Sequence, residues 1–227
     1  MMQLLKTFGI LILISYSIST FGQSSEIKIR FIGNCGLYMT DGISNFYIDF
    51  PYKSGAHNYM EYDLSELDSV NSNPIFIYTH KHSDHYSGKL VKNLAKKLDG
   101  KIYTPRNVEE LKVLNDEILN FNIEAFKTKH LFSMNHYSYL ITWHNKRFFI
   151  SGDTEHAETI ASLKDIDWAF VPAWLLMDAN RKGIKLGDVS NMFAVYHIGP
   201  RDKITNDKNE PRMKLLNKQG EIITIPY

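Results

Sequence analysis

Four side chains able to hold a metal, His80, His82, Asp84 and His85, fall within six positions of this 227-residue chain. They follow directly on Ile75-Phe76-Ile77-Tyr78-Thr79, an apolar run of strand formers. Neutral imidazole and carboxylate are the ligands that zinc and similar borderline cations prefer. His80 and His82 are two apart, so extended backbone points both to one side. Asp84 and His85 come where the chain turns toward a helix and can address a second point nearby. A solvated histidine-rich loop would not need that spacing or the strand before it.

Other chemistry-bearing residues lie far off in the sequence. His130 ends Phe126-Lys127-Thr128-Lys129-His130, with His136 six residues on. Asp153 stands in Phe148-Phe149-Ile150-Ser151-Gly152-Asp153-Thr154, and His197 in Ala194-Val195-Tyr196-His197-Ile198-Gly199-Pro200. Asp49 ends Tyr47-Ile48-Asp49, either as a turn former or as a carboxylate that orients a ligating imidazole. His156 follows Asp153 closely and is a candidate acid for a leaving group, against the simpler reading of an exposed helix residue. His144, beside Asn145 in a turn, reads as solvent-facing.

Together these runs resemble the His-x-His-x-Asp-His signature and later strand ends of the metallo-β-lactamase-fold metal-dependent hydrolase superfamily. The resemblance extends from about Ile27 to Pro200, with its elements in the family order. It implies an α/β fold, a four-layer αββα sandwich, and two metal sites. His80, His82 and His130 would hold one cation, Asp84, His85 and His197 the other, and Asp153 would bridge them. His136, the rival of His130, then reads as a supporting or surface residue. Two cations about 3.5–4 Å apart can share a hydroxide formed near neutral pH. Asp84 would both ligate and, as the catalytic residue, accept a proton from the attacking water.

The implied function is hydrolysis of an ester, lactone, amide or phosphodiester in a small molecule. Zinc is expected, two per chain, with manganese or iron as alternatives. By the resemblance, Gly152-Asp153 points toward the lactonase, phosphodiesterase and thioester-hydrolase branches, because true β-lactamases of the fold usually lack a bridging Asp there. Two rival classes are an iron-dependent oxidoreductase on the same fold and a non-catalytic metal- or ligand-binding protein.

The elements that must position these residues follow from apolar periodicity. Strands are predicted over Ile27–Ile32, Leu37–Thr40, Asn45–Phe50, Ile75–Thr79, Lys101–Thr104, Asn122–Lys127, Tyr137–Trp143, Arg147–Ser151 and Trp168–Val171. Helices are predicted over Tyr86–Leu98, Asn107–Leu114 and from Thr154 to Leu163. Gly183, Gly187 and the polar 178–182 stretch interrupt any helix between Pro172 and Val195. Met213–Leu216 and Glu221–Ile225 read as a terminal hairpin. The aromatic connection from Phe50 to Tyr62 offers Tyr52, Lys53, His57 and Tyr59 either to substrate or to the sandwich surface.

Residues 1–22 have the pattern of a secretory signal peptide: Lys6, apolar Phe8–Ile18, then Thr20-Phe21-Gly22. Residues 23–227 then form one hydrolase domain, periplasmic or secreted, with no stable membrane anchor once the leader is cleaved. Cys35 is the only cysteine, so no internal disulfide forms, and it reads as a small buried residue. A net charge of +1 with no basic stripe argues against a nucleic-acid partner. No feature of the sequence specifies an oligomeric state.

Overall fold

Alternation sets the first strand, where Ile27, Ile29 and Phe31 are buried while Lys28 between them is exposed. The computed structural model describes residues 25–199, 202 and 211–227, and among them are twelve strands, some alternating in this way and the inner ones buried in continuous runs. They are β1 (Glu26–Gly33), β2 (Gly36–Thr40), β3 (Asn45–Ile48), β4 (Ile75–Ile77), β5 (Lys101–Tyr103) and β6 (Phe121–His130). The rest are β7 (Ser133–Trp143), β8 (Lys146–Ile150), β9 (Ile166–Pro172), β10 (Ser190–Tyr196), β11 (Met213–Leu215) and β12 (Ile222–Pro226). The helices are α1 (Ser65–Asp68), α2 (Gly88–Leu98), α3 (Leu114–Glu117), α4 (Glu158–Ala161) and α5 (Ala173–Arg181).

Two six-stranded sheets result, ordered β12-β1-β2-β3-β4-β5 and β11-β10-β9-β8-β7-β6. Antiparallel meanders build β1-β2-β3 and β6-β7-β8, as their turn residues predict. From β3 to β5 and from β8 to β11 the pairing is parallel. Three apolar clusters mark the layer boundaries. Val91, Leu94 and Ala95 of α2 pack on Tyr47, Phe76 and Tyr78 of the first sheet. Ile29, Leu37 and Phe46 meet Ile123, Trp143 and Phe148 between the sheets. Leu175 and Ala179 of α5 pack on Leu140, Phe149 and Val171 of the second. The order is αββα, as expected. No helix among the described residues is long and apolar enough to cross a membrane.

Trp143 is the largest fully buried side chain of the inter-sheet core, edge-on to Phe46 at 5.1 Å. Its indole nitrogen has no hydrogen-bond partner. Trp143→Ala should therefore destabilise the fold by about 3–5 kcal/mol. Trp143→Phe, which keeps a ring and removes the unpaired N–H, should cost well under half as much, and denaturant titration of both compares them.

Several expectations change. The terminal hairpin does not form. Met213–Leu215 pairs parallel with β10, and Ile222–Pro226 pairs antiparallel with β1, on different sheets. Each covers a free sheet edge, and Leu216, Ile223 and Ile225 enter the shared core, which a detached hairpin would not bury. The helix expected from Thr154 shrinks to α4. The Thr154 hydroxyl donates to the Lys129 carbonyl at 2.8 Å and accepts the His156 N–H at 3.2 Å, so it ties the chain to β6 instead of capping a helix. The Asn107–Leu114 helix is a 3-10 turn over Val108–Val113 that runs into α3. Between Pro172 and Val195 the chain does form a helix, α5. Its buried Asp178 is paired with Arg181 and Lys182, so the polar stretch closes the helix. His144 is not solvent-facing: it pairs with Asp41 at 2.9 Å and stacks on Tyr227 with ring centroids 3.9 Å apart.

Candidate metal centre

In a parallel sheet, loops after successive strands emerge at the same edge. Asp49 follows β3, His80–His85 follow β4, Asp153 follows β8 and His197 follows β10, so the topology gathers them at one end. The sheets are also joined there. The Tyr139 hydroxyl donates to the Tyr78 carbonyl at 2.8 Å, and the Tyr137 N–H to the Thr79 carbonyl at 2.9 Å.

Two groups of donor atoms converge. His80, His82 and His130 offer nitrogens that all lie within 4.8 Å of one another. Cys35, His85, Asp153 and His197 form a second such group. Asp84 Oδ2 joins the latter, 3.3 Å from His197 Nε2 and 3.6 Å from His85 Nε2. Asp153 Oδ2 stands between them: 3.0 Å from His85 Nε2, 3.1 Å from His197 Nε2, 3.7 Å from His130 Nε2 and 3.9 Å from His80 Nε2.

Hydrogen bonds decide which nitrogens face inward. Asp49 is fully buried and accepts only. It takes the Thr79 N–H at 2.8 Å, the Thr79 hydroxyl at 2.7 Å and His85 Nδ1–H at 2.9 Å. With its proton committed to Asp49, the Thr79 oxygen accepts His80 Nδ1–H at 3.1 Å. Both imidazoles are thus fixed with Nε2 toward the cluster, and His80 Nε2 is buried with no partner. Of the two roles open to Asp49, orientation of imidazoles is the one its contacts support. Imidazole nitrogens presented in this way beside carboxylates suit a borderline divalent cation, which would take the place of any proton there. Burial holds the His80 pKa well below the usual range. Burial also opposes charge on His85, but Asp153 and Asp49 outweigh it and hold its pKa well above. Burial raises the Asp84 pKa, yet His197 and His85 lower it more, and the balance leaves Asp84 an anion.

No family model and no curated protein matches this sequence. Solved structures do match. Igni18, a metallo hydrolase from the archaeon Ignicoccus hospitalis, has a TM-score of 0.61 over 89% of this chain and 99% of its own, at 15% identity. YhfI from Bacillus subtilis, a metallo-β-lactamase fold protein, gives 0.61 over 88% and 99%, at 16% identity. The diiron β-hydroxylase CmlA from Streptomyces venezuelae gives 0.56 over 89% of this chain and 54% of its own, at 10% identity. The chain has the metallo-β-lactamase fold.

Within this fold the rival histidines part company. His136 is wholly buried in β7, and both its nitrogens are engaged. Nε2 accepts the Asp153 N–H at 3.0 Å, and Nδ1–H donates to Thr128 Oγ1 at 2.7 Å. Burial pushes its pKa down to about 3. Gly152 makes room for this contact: its φ is +60°, and a Cβ there would meet His136 Nε2 at 2.7 Å. His136 therefore holds Asp153 in place with both of its ring nitrogens taken up. His130→Ala should weaken metal binding by much more than the ~10–100-fold typical of supporting residues, whereas His136→Ala should stay within that range. Chelator competition on the two variants orders them, and the reverse order would reassign the ligand.

The cleft over these atoms has a volume of about 440 Å³. His82, Asp84, His130, Asp153 and His197 line it, with Tyr59, Phe132 and Trp174 among its walls. Of the aromatic connection, His57 and Tyr59 reach the cleft. Tyr52 is buried with its hydroxyl donating to Met60, and Lys53 is exposed elsewhere. His156 is 43% exposed, lies 3.8 Å from Glu158 and does not line the cleft, so its candidacy as an acid lapses.

Three residues carry roles that the sequence did not signal. Asn34 Nδ2 donates to the Asp84 carbonyl at 2.8 Å and lies 3.4 Å from its carboxylate. Trp174 Nε1–H donates to the Asp153 carbonyl at 3.2 Å. Cys35 is buried as expected, but its Sγ lies 3.6 Å from Asp153 Oδ1. Burial and the carboxylates Asp153, Asp49 and Asp84 push its pKa well up, so the thiol keeps its proton and donates it to that oxygen.

Proposed function

We propose that the chain is a metal-dependent hydrolase that holds two divalent cations, zinc first among them, and cleaves an ester, lactone, amide or phosphodiester bond in a small molecule. The observation that carries this reading is Asp153 Oδ2, which lies within 3.9 Å of nitrogens from both donor groups. His80, His82 and His130 would hold one cation and Asp84, His85 and His197 the other. When bound, such a pair supplies a water acidified to near neutrality and a Lewis acid for the oxygen that gains charge. The chain does the rest. Asp49 and Thr79 fix two imidazoles, Asn34 steadies Asp84, and Asp84 accepts the proton of the attacking water. The leader-like residues 1–22, outside the described residues, support export, so substrate would be met in the periplasm or beyond.

Protein purified in zinc should hold about two metals per chain by elemental analysis, and His197→Ala should lose mainly the second. A wild-type stoichiometry at or below one under saturating zinc would sink the dinuclear reading. A screen of aryl esters, lactones, amides and phosphodiesters with the loaded protein then selects the bond. The likeness to a diiron hydroxylase favours one other reading, an iron-dependent oxidoreductase. Two irons per chain, taken up in preference to supplied zinc, would establish it.

A further inference from the structure

The tip joining β6 and β7 is apolar and unusually bare. Leu131 is 63% exposed, Phe132 90% and Met134 91%. Single exposed apolar side chains are ordinary, but clustered they mark a contact surface. Here the contact is not remote from the chemistry. Leu131 and Phe132 line the same cleft as His82, Asp84 and His130, and the Phe132 carbonyl lies 3.4 Å from His82 Nε2. Tyr59 and Trp174 line the same cleft, each edge-on to His197, with ring centroids 4.1 and 5.0 Å away.

The charge of the cleft points the same way. Its charged lining comprises Asp84, Asp153 and Glu155, and among the described residues no lysine or arginine joins them. Those carboxylates offset most of the charge that two divalent cations would bring. Among the described residues the lining offers no arginine or lysine of the kind that commonly meets a phosphate anion.

We infer that the cleft takes an uncharged acyl substrate (an ester, lactone or amide) with its apolar group seated between the Leu131-Phe132 tip and the Tyr59 and Trp174 rings. This rests on the hydrolytic reading above and narrows its substrate class. A protein partner on the same tip would have to block the cleft, since Leu131 and Phe132 belong to its wall.

The test uses the zinc-loaded full chain and straight-chain alkanoates, from acetate through butyrate and hexanoate to octanoate, as analogues of an acyl product. Dissociation constants are read by tryptophan fluorescence. Affinity should climb by about two- to fourfold per added methylene, as expected for partial to full burial of each group. Phe132→Ser should flatten that slope, and Leu131→Ser with Phe132→Ser should flatten it further. Phe132 is 90% exposed, so its replacement leaves the core intact. A wild-type affinity independent of chain length, or a slope untouched in both variants, would overturn the inference. So would a preference for bis(p-nitrophenyl) phosphate over p-nitrophenyl octanoate. If no ester, lactone or amide were cleaved while the alkanoate slope and its loss in Phe132→Ser persisted, the hydrolytic reading would fall and the apolar seat would stand.

Discussion

Asp84→Asn should lower turnover of any substrate found by about 10²–10⁴ at fixed metal occupancy, the range for losing general-base help. The asparagine keeps the shape and one oxygen but removes the charge and the basicity. Asn34 fixes the Asp84 backbone carbonyl at 2.8 Å, so the side chain should stay in place after the change. Metal content should fall only modestly, because His85, His197 and Asp153 remain around the second position. The deciding quantity is kcat with both variants brought to equal zinc. A near-wild-type kcat there would show that the attacking water needs no carboxylate partner.

Asp153→Ala should abolish stable binding of both cations, a loss larger than that from removing any single histidine. Its Oδ2 faces both donor groups, and its charge offsets the repulsion between two divalent ions. Zinc that binds the folded state at 100 times its dissociation constant stabilises it by about 2.7 kcal/mol. The thermal midpoint of wild type should therefore rise clearly on adding zinc, and that of Asp153→Ala should barely move. Cys35 refines this picture. Oδ2 faces the histidines while Oδ1 accepts the Cys35 thiol, so the thiol fixes the orientation of the carboxylate that would serve the cations. Cys35→Ala should weaken zinc by roughly tenfold, at the low end for a supporting contact, and Cys35→Ser, which restores a donor, should recover most of it. Equal loss in both would assign the cysteine to packing alone.

The parts of the centre visible in the sequence are those set by short-range spacing. His80, His82, Asp84 and His85 announce themselves because one strand end and one turn hold them all. Asp153 and His197 could be aligned because each closes an apolar strand. What stayed hidden depends on distant pairings. Cys35 meets Asp153 across 118 residues and Asn34 meets Asp84 across 50, and neither Cys nor Asn carries a local pattern that names its partner. The same holds for the fold. Both meanders were readable from turn residues, whereas the last two strands found partners at opposite edges of the sandwich, which no local turn dictates. The resemblance already preferred His130 to His136, and the bonds that occupy both nitrogens of His136 add a physical reason that no local pattern carries.

The route of the final strand has a consequence for the order of events in folding. Ile223 and Ile225 lie beside Ile29 and Ile27, so the first and last of the described strands are neighbours. The first sheet cannot close this edge until β12 has been made, and pairings so far apart in sequence form slowly. From the making of β1 to that of β12, this edge of β1 stays open and pairing-competent. That delay would suit a polypeptide handed unfolded to a translocation channel, where premature closure would jam passage. In a compartment where synthesis and folding overlap, the same delay leaves that strand exposed to other chains.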